Sequence, residues 1–375
     1  MGRSDLVAVE PVVTVTLGPT SADRGYPVFV EPGLTARLPS LAAELLPGRR
    51  LAVITDRTVG RAVPHGIDAP TLVVAPGEGS KTRARWGALT DRMLELGYGR
   101  DSALVAVGGG VVGDLAGFVA ATFLRGVPWL QVPTSLLAMV DASVGGKTGV
   151  NTGLGKNLVG AFHPPVAVLA DPAVLRTLHA EHLGAGLVEA LKHGLVADAA
   201  YFSWIGEHAD PLLAGDAARL GELVSRSVRI KAAIVSEDER ERGRRAILNA
   251  GHTVGHAIER ITDYTIPHGD AVSIGLVVEA LLSHRLGLAE RALAPTIRRA
   301  LERLGRPTLP DTSWDDDALL EAMGHDKKMR RATLRVALPI RIGAMAGADS
   351  DWTVPVSRDA MRTVLSTART SATLF

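Results

Sequence analysis

Four polar residues in the second half of the chain have the spacing of one helix face. Arg245, Asn249, His252 and His256 follow one another at intervals of four, three and four residues, so on an α-helix their side chains would form a single stripe. The residues that flank the stripe are mostly apolar, and a buried polar stripe is costly unless something binds it. The pattern therefore predicts an enclosed binding site on a helix over about residues 244–262; a solvent-facing helix surface is the alternative.

Further polar positions extend this pattern to a metal site. His268 stands sixteen residues after His252, at the start of another predicted helix, and Glu189 and Lys192 share one face of an upstream helix. The chain contains no Cys, so a metal ion would have to be bound by His, Asp or Glu side chains. One Glu and two His form a ligand set of catalytic zinc sites, in which one coordination position stays open. Any one of these His residues alone would more often be a packed or surface residue.

A glycine loop in the first half has the sequence context of a phosphate-binding turn. The apolar run 103–107 leads directly into Gly108, Gly109 and Gly110, and a helical pattern follows. Backbone without side chains lets a pyrophosphate approach the N–H groups of a helix N-terminus, where the helix dipole favours negative charge. The loop therefore indicates a nucleotide site, and a tight turn that packs helix against sheet is the alternative.

Charged residues at neighbouring strand ends support the nucleotide site. Asp56 ends an earlier apolar run, where a carboxylate can accept hydrogen bonds from ribose hydroxyls, and Glu78 and Lys81 follow the next run. A surface turn is the commoner place for each of them. Because the acidic strand end precedes the glycine loop, the order is not that of a plain Rossmann fold.

The segment 141–157 has the composition of an anion-binding loop. It concentrates Gly, Asn and two lysines, Lys147 and Lys156, with Asn157 beside the second, and ammonium groups near glycine backbone suit a phosphate. Scattered surface cations are the alternative, but further cations flank the nucleotide and metal motifs: Arg125, Lys231, Arg245, Lys327 and Lys328. Together they predict a small substrate that carries both a phosphate and a carboxylate.

The elements that must position these residues differ between the two halves. Short apolar runs at 51–55, 71–75, 103–107 and 129–132 alternate with helical patterns, as in a doubly wound parallel sheet. After about residue 179 helical patterns follow one another, at roughly 184–199, 214–236, 244–262, 270–287 and 290–304. This predicts an α/β N-terminal nucleotide-binding domain with a parallel sheet (residues 1–178) and an all-α C-terminal metal-binding domain (residues 179–375). The small, polar tail after about residue 345 is expected to be loosely ordered.

Composition narrows the function classes. The 375 residues include 41 Lys and Arg against 40 Asp and Glu, a balance that argues against a general nucleic-acid binder. No apolar run approaches the roughly 20 residues that span a bilayer; the richest, 271–282, is interrupted by Glu279. The N-terminus lacks a signal-peptide pattern. A cytoplasmic protein without nucleic-acid or membrane partners is expected.

The motifs taken together resemble the 3-dehydroquinate synthase family. They are GGGVVGDLAGF from Gly108, VPTSLLAMVDASVGGKT from Val132, GKNLVG from Gly155, LNAGHTVGHAIE from Leu248 and HGDAV from His268. The resemblance covers roughly residues 25–340 and implies a nucleotide-binding α/β domain, a helical domain and a homodimer. Three departures are mild: Ser135 stands where Thr is usual, His193 stands where Tyr is usual, and the C-terminal tail runs longer than usual.

The resemblance also implies a role for each matching residue. The metal ligands would be Glu189, His252 and His268. The NAD-binding residues would be Asp56, Glu78, Lys81, Gly108, Gly109, Gly110, Asp114, Thr134, Ser135, Lys156 and Thr177. Asp141 and Lys192 would meet substrate hydroxyls. The substrate phosphate would contact Lys147, Asn157, Asn249, His256 and Arg125 of a second subunit. Its carboxylate would contact Lys231, Arg245 and one of Lys327 and Lys328.

The implied activity is a phosphate-eliminating cyclisation, a carbon–oxygen lyase reaction. It converts 3-deoxy-D-arabino-heptulosonate 7-phosphate to 3-dehydroquinate and phosphate by transient oxidation, elimination, re-reduction and aldol closure. The implied cofactors are NAD and one divalent ion, zinc or cobalt.

Other functions remain open at this point. Aminodehydroquinate synthase acts on a closely similar substrate. The 2-deoxy-scyllo-inosose and 2-epi-5-epi-valiolone synthases act on substrates without a carboxylate and have no need of Lys231 and Arg245 as a pair. A metal-dependent polyol dehydrogenase and a non-catalytic NAD- or metal-sensing module are the more distant alternatives.

Overall fold

The chain forms two compact units. The computed structural model describes residues 9–17, 25–324 and 334–370. The first unit, here the sheet unit, comprises the described residues of Met1–His179 together with Gly215–Ser236; the second, the helical unit, comprises those of Ala180–Ala214 and Glu237–Phe375. The boundary between residues 178 and 179 stays a prediction.

Strands occur in both units. In the sheet unit they are β1 (Val13–Val15), β2 (Tyr26–Val30), β3 (Arg50–Asp56), β4 (Thr71–Val74), β5 (Ser102–Gly108), β6 (Trp129–Pro133), β7 (Lys147–Thr152), β8 (Gly155–Phe162) and β9 (Ala167–Ala170). In the helical unit they are β10 (Leu334–Val336), β11 (Pro339–Arg341), β12 (Ala344–Met345) and β13 (Val354–Val356).

The α-helices, in chain order, are α1 (Leu38–Leu45), α2 (Arg57–Ala62), α3 (Arg83–Glu95), α4 (Gly110–Thr122), α5 (Ala180–Ala197), α6 (Ala199–Glu207), α7 (Ala209–Leu213), α8 (Ala217–Glu237), α9 (His252–Ile261), α10 (His268–Arg285), α11 (Leu293–Arg303), α12 (Asp316–Gly324) and α13 (Arg358–Thr370). Short 3-10 helices cover Leu34–Arg37, Glu78–Ser80, Phe123–Arg125, Pro172–Thr177 and Arg244–Asn249, and a π-turn covers Ala138–Ala142.

A seven-stranded sheet organises the sheet unit. Its strand order is β1-β2-β9-β6-β5-β3-β4, and every neighbouring pair is parallel except β1 and β2. In β5, Val105 belongs to a buried cluster on one face, whereas Leu104 and Ala106 belong to a cluster on the other. Burial on both faces explains why β5 is apolar at nearly every position, whereas the edge strand β4 alternates between exposed and buried residues. The predicted α/β domain with a parallel sheet is confirmed, and β1 adds an antiparallel edge.

The carboxyl ends of three adjacent strands form the edge at which the nucleotide motifs lie. Thr55 of β3 pairs with Val107 of β5, and Val107 pairs with Val132 of β6. The chain leaves β3 towards β4 on one side and then returns to β5 on the other, so β3 and β5 flank a topological switch point. In open α/β sheets ligands bind outside such a point. The fold therefore places Asp56 and the glycine loop side by side.

The helical unit is built around α9 and α10. Val254 and Ile258 of α9 and Ile274 and Val278 of α10 form part of one buried cluster, to which α12 and α13 contribute. The helical C-terminal region is thus confirmed. Two short antiparallel pairs, β10 with β13 and β11 with β12, are additions that the sequence analysis did not anticipate.

The single helix predicted over 244–262 is wrong. Residues 244–249 form a 3-10 helix, the backbone turns out of it at Ala250, and α9 begins only at His252. Gly251 between them has φ +79°, a left-handed conformation that disfavours other residues. Gly275 of α10 passes so close that a Cβ placed on it would lie 2.0 Å from the Gly251 carbonyl oxygen. The predicted helix is therefore interrupted where α9 and α10 pack closely against each other.

The expectation of a loosely ordered tail is also wrong. Residues 354–356 form β13, and α13 buries four apolar residues at helical spacing, Met361, Val364, Leu365 and Ala368. The polar stretch before them concealed this short amphipathic pattern. Among the described residues, no helix has the length and apolar character needed to cross a membrane.

Candidate functional site

Three residues from three helices of the helical unit converge on one point. Glu189 lies inside α5, while His252 and His268 are the first residues of α9 and α10. Glu189 Oε1 is 3.6 Å from His252 Nε2 and 3.4 Å from His268 Nε2. One nitrogen or oxygen of each side chain lies within 4.8 Å of the other two. Residues far apart in the sequence are therefore placed where they can share one ion.

The protonation of His252 suits a metal ligand. Its Nδ1 is 3.1 Å from the Ala250 carbonyl oxygen, which can only accept, so Nδ1 carries the hydrogen. Burial and then the nearby Lys192 ammonium lower the pKa of His252 to about 3, so the ring is neutral at pH 7. Its Nε2 lone pair therefore faces a carboxylate oxygen of Glu189. Two acceptors that face each other in this way favour a cation between them.

His268 lies between two carboxylates. Its Nε2 faces Glu189 and its Nδ1 is 3.4 Å from Glu259 Oε2. Burial alone would lower the pKa of His268, but hydrogen bonds to Glu189 and Glu259 outweigh it and raise the pKa to about 10. The Nε2 position is therefore held for a positive charge, which a proton or a divalent ion can supply.

The separations between Glu189 and the two imidazoles fit a divalent ion. Ligand bonds of about 2.0–2.2 Å in a tetrahedral site place neighbouring ligand atoms about 3.3–3.6 Å apart, and the two measured separations from Glu189 Oε1 are 3.4 and 3.6 Å. One carboxylate and two imidazoles leave a fourth position open. The donor set and its spacing thus fit a catalytic metal centre.

Lys192 and His256 lie next to this cluster. Lys192 Nζ forms an ion pair with Glu189 Oε2, and both side chains are almost fully buried. The two oxygens of Glu189 are therefore divided, one towards Lys192 and the other towards the imidazoles. His256 lies one turn after His252 on α9, with its ring centroid 5.1 Å from that of His252 and 6.3 Å from that of His268.

Arg245 and Asn249 lie on the 3-10 helix, so the predicted stripe is divided between two helices. The Arg245 guanidinium donates to the Glu239 carbonyl oxygen at 2.5 Å. Asn249 Nδ2 donates to Glu241 Oε1 at 2.7 Å. Glu241 was missed by the sequence analysis, and its backbone has φ +56°, a strained conformation of the kind that clusters at functional sites.

Asp238 organises the loop that precedes Arg245. Its carboxylate accepts hydrogen bonds from the backbone N–H groups of Arg242, Gly243 and Arg245. Burial favours a higher pKa of Asp238, but these three donors outweigh it and hold the pKa below its usual value. A local Asp with glycine five residues later was the only sequence signal for this turn.

The glycine loop in the sheet unit adopts the predicted strand–loop–helix arrangement. Gly108 ends β5, and Gly110 begins α4. A Cβ on Gly108 would lie 2.5 Å from Val112 Cβ, and one on Gly109 would lie 3.4 Å from Ser135 Oγ. The N-terminal turn of α4 has no side-chain cap, so its N–H groups can meet an anion. Close packing therefore requires glycine at Gly108, and the predicted phosphate contact at this turn stays a prediction.

Most of the other predicted cofactor residues lie at or near this edge of the sheet. Asp56 Oδ1 caps α2 by accepting from the N–H groups of Thr58 and Val59. Thr134 and Ser135 follow β6 directly. Thr177 ends a 3-10 helix, and its hydroxyl donates to the Val174 carbonyl oxygen at 2.7 Å. The cofactor roles themselves remain predictions.

Lys81 forms an ion pair with Asp114 of α4, in which Lys81 is buried and the Asp114 side chain is 21% exposed. Lys81 Nζ lies 2.5 Å from Asp114 Oδ2 and 3.8 Å from Glu78 Oε1. Burial raises the pKa of Asp114 by more than the Lys81 charge lowers it. Asn151, which was not predicted, donates to Glu78 Oε1 at 2.7 Å and accepts from the Asn157 backbone N–H at 2.9 Å. Asn151 therefore links the 3-10 helix that begins at Glu78 to its own β7–β8 hairpin, which also carries Lys147, Lys156 and Asn157.

Asp141 and Lys231 are brought together within the sheet unit. Lys231, on α8, donates to Asp141 Oδ1 at 2.8 Å and also to the Asp141 carbonyl oxygen. Arg125 ends a short 3-10 helix at φ +70°. Lys327 and Lys328 lie outside the described residues.

Comparison with known proteins gives consistent results over most of the chain. The family model described as 3-dehydroquinate synthase N-terminal matches residues 71–185, and that described as 3-dehydroquinate synthase C-terminal matches residues 186–329. The 3-dehydroquinate synthase of Rhodospirillum rubrum is 45% identical over 350 residues, which cover 88% of this chain and 89% of the relative.

Two solved structures are similar over almost the full chain. A 2-deoxy-scyllo-inosose synthase, solved with carbaglucose-6-phosphate, NAD+ and Co2+, has a TM-score of 0.85 and 26% identity, covering 95% of this chain and 99% of its own. The 2-epi-5-epi-valiolone synthase of Streptomyces hygroscopicus, with NAD+ and Zn2+ bound, has a TM-score of 0.80 and 29% identity, covering 92% and 96%.

Proposed function

Because the chain belongs to the 3-dehydroquinate synthase family, we propose that it converts 3-deoxy-D-arabino-heptulosonate 7-phosphate to 3-dehydroquinate and phosphate. The observation that carries this proposal is the convergence of Glu189, His252 and His268 with donor atoms within 4.8 Å of one another. A carboxylate-and-imidazole centre of this kind suits activation of a substrate oxygen. Release of phosphate breaks a carbon–oxygen bond, so the proposed enzyme is a lyase.

The proposed cofactors are NAD and one zinc or cobalt ion. When bound, NAD supplies reversible hydride transfer and the ion supplies Lewis-acid polarisation of a substrate hydroxyl. In the helical unit Glu189, His252 and His268 would hold the ion. In the sheet unit the carboxyl edge of β3, β5 and β6 would hold the dinucleotide, with its pyrophosphate at the start of α4 and its ribose at Asp56.

Two charged pairs are suited to substrate hydroxyls. Lys192 Nζ is paired with Glu189 Oε2, and an ammonium group has three N–H donors, so it is suited to donate a hydrogen bond to a substrate oxygen near the metal. Asp141 is held by Lys231, which donates to its Oδ1 at 2.8 Å, and a carboxylate fixed in this way is suited to accept from a substrate hydroxyl. Because each partner is already held in place, little side-chain ordering remains for substrate binding.

Positively charged and amide side chains would bind the phosphate and the carboxylate of the proposed substrate. The phosphate would meet Lys147, Asn157, Asn249 and His256, and Arg125 of a partner subunit in a homodimer. The carboxylate would meet Lys231 and Arg245. Arg245 is largely buried and its loop is fixed by Asp238, so it is suited to a planar, paired contact with a carboxylate.

Turnover with substrates of different charge tests this proposal. Purified protein with zinc and NAD should release one phosphate for each 3-dehydroquinate formed, without net accumulation of NADH. Glucose 6-phosphate, which lacks a carboxylate, should give no product. Turnover of glucose 6-phosphate would favour a carboxylate-independent cyclase, and steady NADH formation from glycerol would favour a polyol dehydrogenase. Absence of turnover with both cofactors bound would refute the proposal.

An Arg245→Ala variant tests the carboxylate contact separately. Loss of a charged hydrogen-bonded contact should weaken substrate binding by about 2–5 kcal/mol, measured as a rise in KM or in the dissociation constant. The affinity for inorganic phosphate should remain close to that of the unmodified protein. Unchanged substrate affinity would assign the carboxylate to another residue.

A further inference from the structure

Two buried glutamates connect the helices that begin with the proposed metal ligands. Glu259 lies near the end of α9, which starts at His252, and Glu279 lies in the middle of α10, which starts at His268. Their exposed fractions are 4% and 0%. Buried carboxylates are costly unless they are paired or hydrogen-bonded, so the contacts of each one indicate its role.

Glu279 of α10 binds the N-terminus of α9. Its Oε2 accepts from the Gly251 N–H at 2.5 Å, and its Oε1 accepts from the N–H groups of Thr253 at 3.1 Å and Val254 at 3.3 Å. Gly251 has no side chain with which to cap the helix itself. The three N–H donors belong to the residue just before His252 and the two residues just after it. Glu279 therefore fixes the backbone that carries this ligand. The negative charge also complements the positive end of the helix dipole.

Close packing of the two helices makes this contact precise. A Cβ on Gly275, one turn before Glu279, would lie 2.0 Å from the Gly251 carbonyl oxygen, and one on Gly251 would lie 2.8 Å from Leu276 Cγ. Both positions therefore exclude a side chain. The start of α9 is held against the face of α10 that presents Glu279.

Glu259 of α9 contacts the first residue of α10 in return. Its Oε2 is 3.4 Å from Nδ1 of His268, whose other nitrogen faces Glu189. A carboxylate at Nδ1 holds the hydrogen on that nitrogen and directs the Nε2 lone pair to the opposite side of the ring. Carboxylates in this position orient the imidazole ligands of metal sites and raise their basicity.

We propose that Glu259 and Glu279 are reciprocal positioning residues, in which each helix fixes the metal ligand that begins the other. The proposal rests on the metal centre of the proposed function. Because each glutamate acts on a different ligand of the same ion, loss of either one should loosen the geometry that both ligands share. A purely structural role, in which the two carboxylates only stabilise helix packing, predicts lower stability with unchanged metal binding.

Metal binding to the chelator-stripped full chain tests the proposal without turnover. Zinc affinity is measured by competition with a chromophoric chelator, and cobalt binding by visible absorption, which reports coordination geometry. Glu279→Gln replaces one acceptor with an amide group that cannot accept from the helix N–H groups. It should raise the zinc dissociation constant by roughly 10–100-fold and alter the cobalt spectrum. Glu259→Leu should also raise the zinc dissociation constant and alter the cobalt spectrum. Glu259→Gln can still accept a hydrogen bond from Nδ1 of His268, so it should reduce zinc affinity less than Glu259→Leu does.

Asp171→Asn is the matched control. Asp171 is a buried carboxylate of the sheet unit that accepts from the backbone N–H groups of Gly33, Thr35 and Ala173 at 2.9–3.0 Å. Asp171→Asn should lower the melting temperature, as Glu279→Gln should. Unlike the glutamate variants, it should leave zinc affinity and the cobalt spectrum unchanged. Glutamate variants that behave like this control would overturn the proposal.

A double variant tests reciprocity. If both glutamates act on one shared geometry, Glu259→Leu combined with Glu279→Gln should weaken zinc binding by less than the product of the two separate effects. A combined effect equal to that product would show independent action and overturn the reciprocal part. If Glu279→Gln does not fold, zinc affinity can still be compared between Glu259→Leu and Glu259→Gln. That comparison decides whether the contact of Glu259 with His268 controls the metal site.

The unmodified chain distinguishes this proposal from the proposed function. If the stripped wild-type protein binds neither zinc nor cobalt, the metal-dependent function fails, and this inference fails with it. If the wild-type protein binds metal and the glutamate variants bind it equally well, only the positioning role is refuted.

Discussion

Replacement of Gly275 by Ala is the sharpest test of the packing between α9 and α10, the two helices that begin with the proposed metal ligands His252 and His268. An added Cβ would lie 2.0 Å from the carbonyl oxygen of Gly251 and 2.8 Å from its carbonyl carbon. Contacts of this type need about 3.2 Å, so the start of α9 must move by more than about 1 Å. Backbone atoms cannot rotate aside as a flexible side chain would, so His252 moves with them.

The expected change in the free energy of unfolding combines three contributions, of which two destabilise the protein and one stabilises it. Overpacking costs about 1–3 kcal/mol, and lengthening of the Glu279 bond to the Gly251 N–H adds about 1 kcal/mol. Alanine in a helix regains about 1 kcal/mol over glycine. Gly275→Ala should therefore lower the free energy of unfolding by about 2 kcal/mol, and zinc affinity should fall because His252 moves away from Glu189 and His268.

Denaturant unfolding followed by circular dichroism, together with zinc competition, measures both effects. Gly206→Ala is the matched control, because Gly206 lies in α6 and a Cβ there meets nothing within 4 Å. That variant should gain up to about 1 kcal/mol with unchanged zinc affinity. A Gly275→Ala variant that is stabilised as much as Gly206→Ala and binds zinc normally would refute the reasoning.

Three further predictions concern charges. Lys81→Met leaves the largely buried Asp114 without its partner. Because the Asp114 side chain is still 21% exposed, the variant should lose about 1–3 kcal/mol of stability, less than a fully buried pair would. Since burial already raises the pKa of Asp114, this loss should shrink as pH falls through the folded pKa of the carboxyl group. The pKa of Asp238 is lowered in the folded state by three backbone N–H donors, so its stabilisation is present above about pH 4 and is lost as pH falls through the folded pKa; Asp238→Asn should abolish this acid dependence in pH-dependent unfolding. His268→Ala should remove zinc retention after gel filtration and should leave the far-UV circular dichroism unchanged.

Each of these predictions has an outcome that contradicts it. Lys81→Met combined with Asp114→Asn should recover part of the lost stability, since the unpaired charge is then removed; no recovery would argue against the ion pair. An Asp238→Asn protein whose stability still falls with pH as in the wild type would assign the acid dependence to other carboxylates. Stoichiometric zinc in His268→Ala would exclude His268 as a ligand.

Local sequence patterns anticipated the elements and the candidate residues. Continuous apolar runs identified four strands of the sheet. In β3, β5 and β6 burial on both faces leaves little polar alternation, whereas the edge strand β4 is apolar although only alternate residues are buried. Glycine between a strand and a helix identified the start of α4 at Gly110. The His252–His256 spacing and the absence of Cys restricted the metal ligands to a small set. These signals depend on neighbours within a few residues, so they can be read without the fold.

Contacts between distant segments were beyond such patterns. The interval from 245 to 256 predicted one helix, but the close approach of Gly275 to Gly251 broke it, because backbone packing overrode local helix propensity. Asn151, Glu241 and Glu259 gave no separate signal, since their roles depend on partners that the fold supplies.

The sequence by itself determined which side chains could bind a metal ion, a dinucleotide and an anion, because these properties belong to residue type and local spacing. Only the tertiary structure decided that Glu189, His252 and His268 meet, and that Glu279, which in the sequence only interrupts an apolar run, caps the helix beginning at His252. The physical reason is that a buried carboxylate must find hydrogen-bond donors, and the packing of α9 against α10 determines where those donors lie.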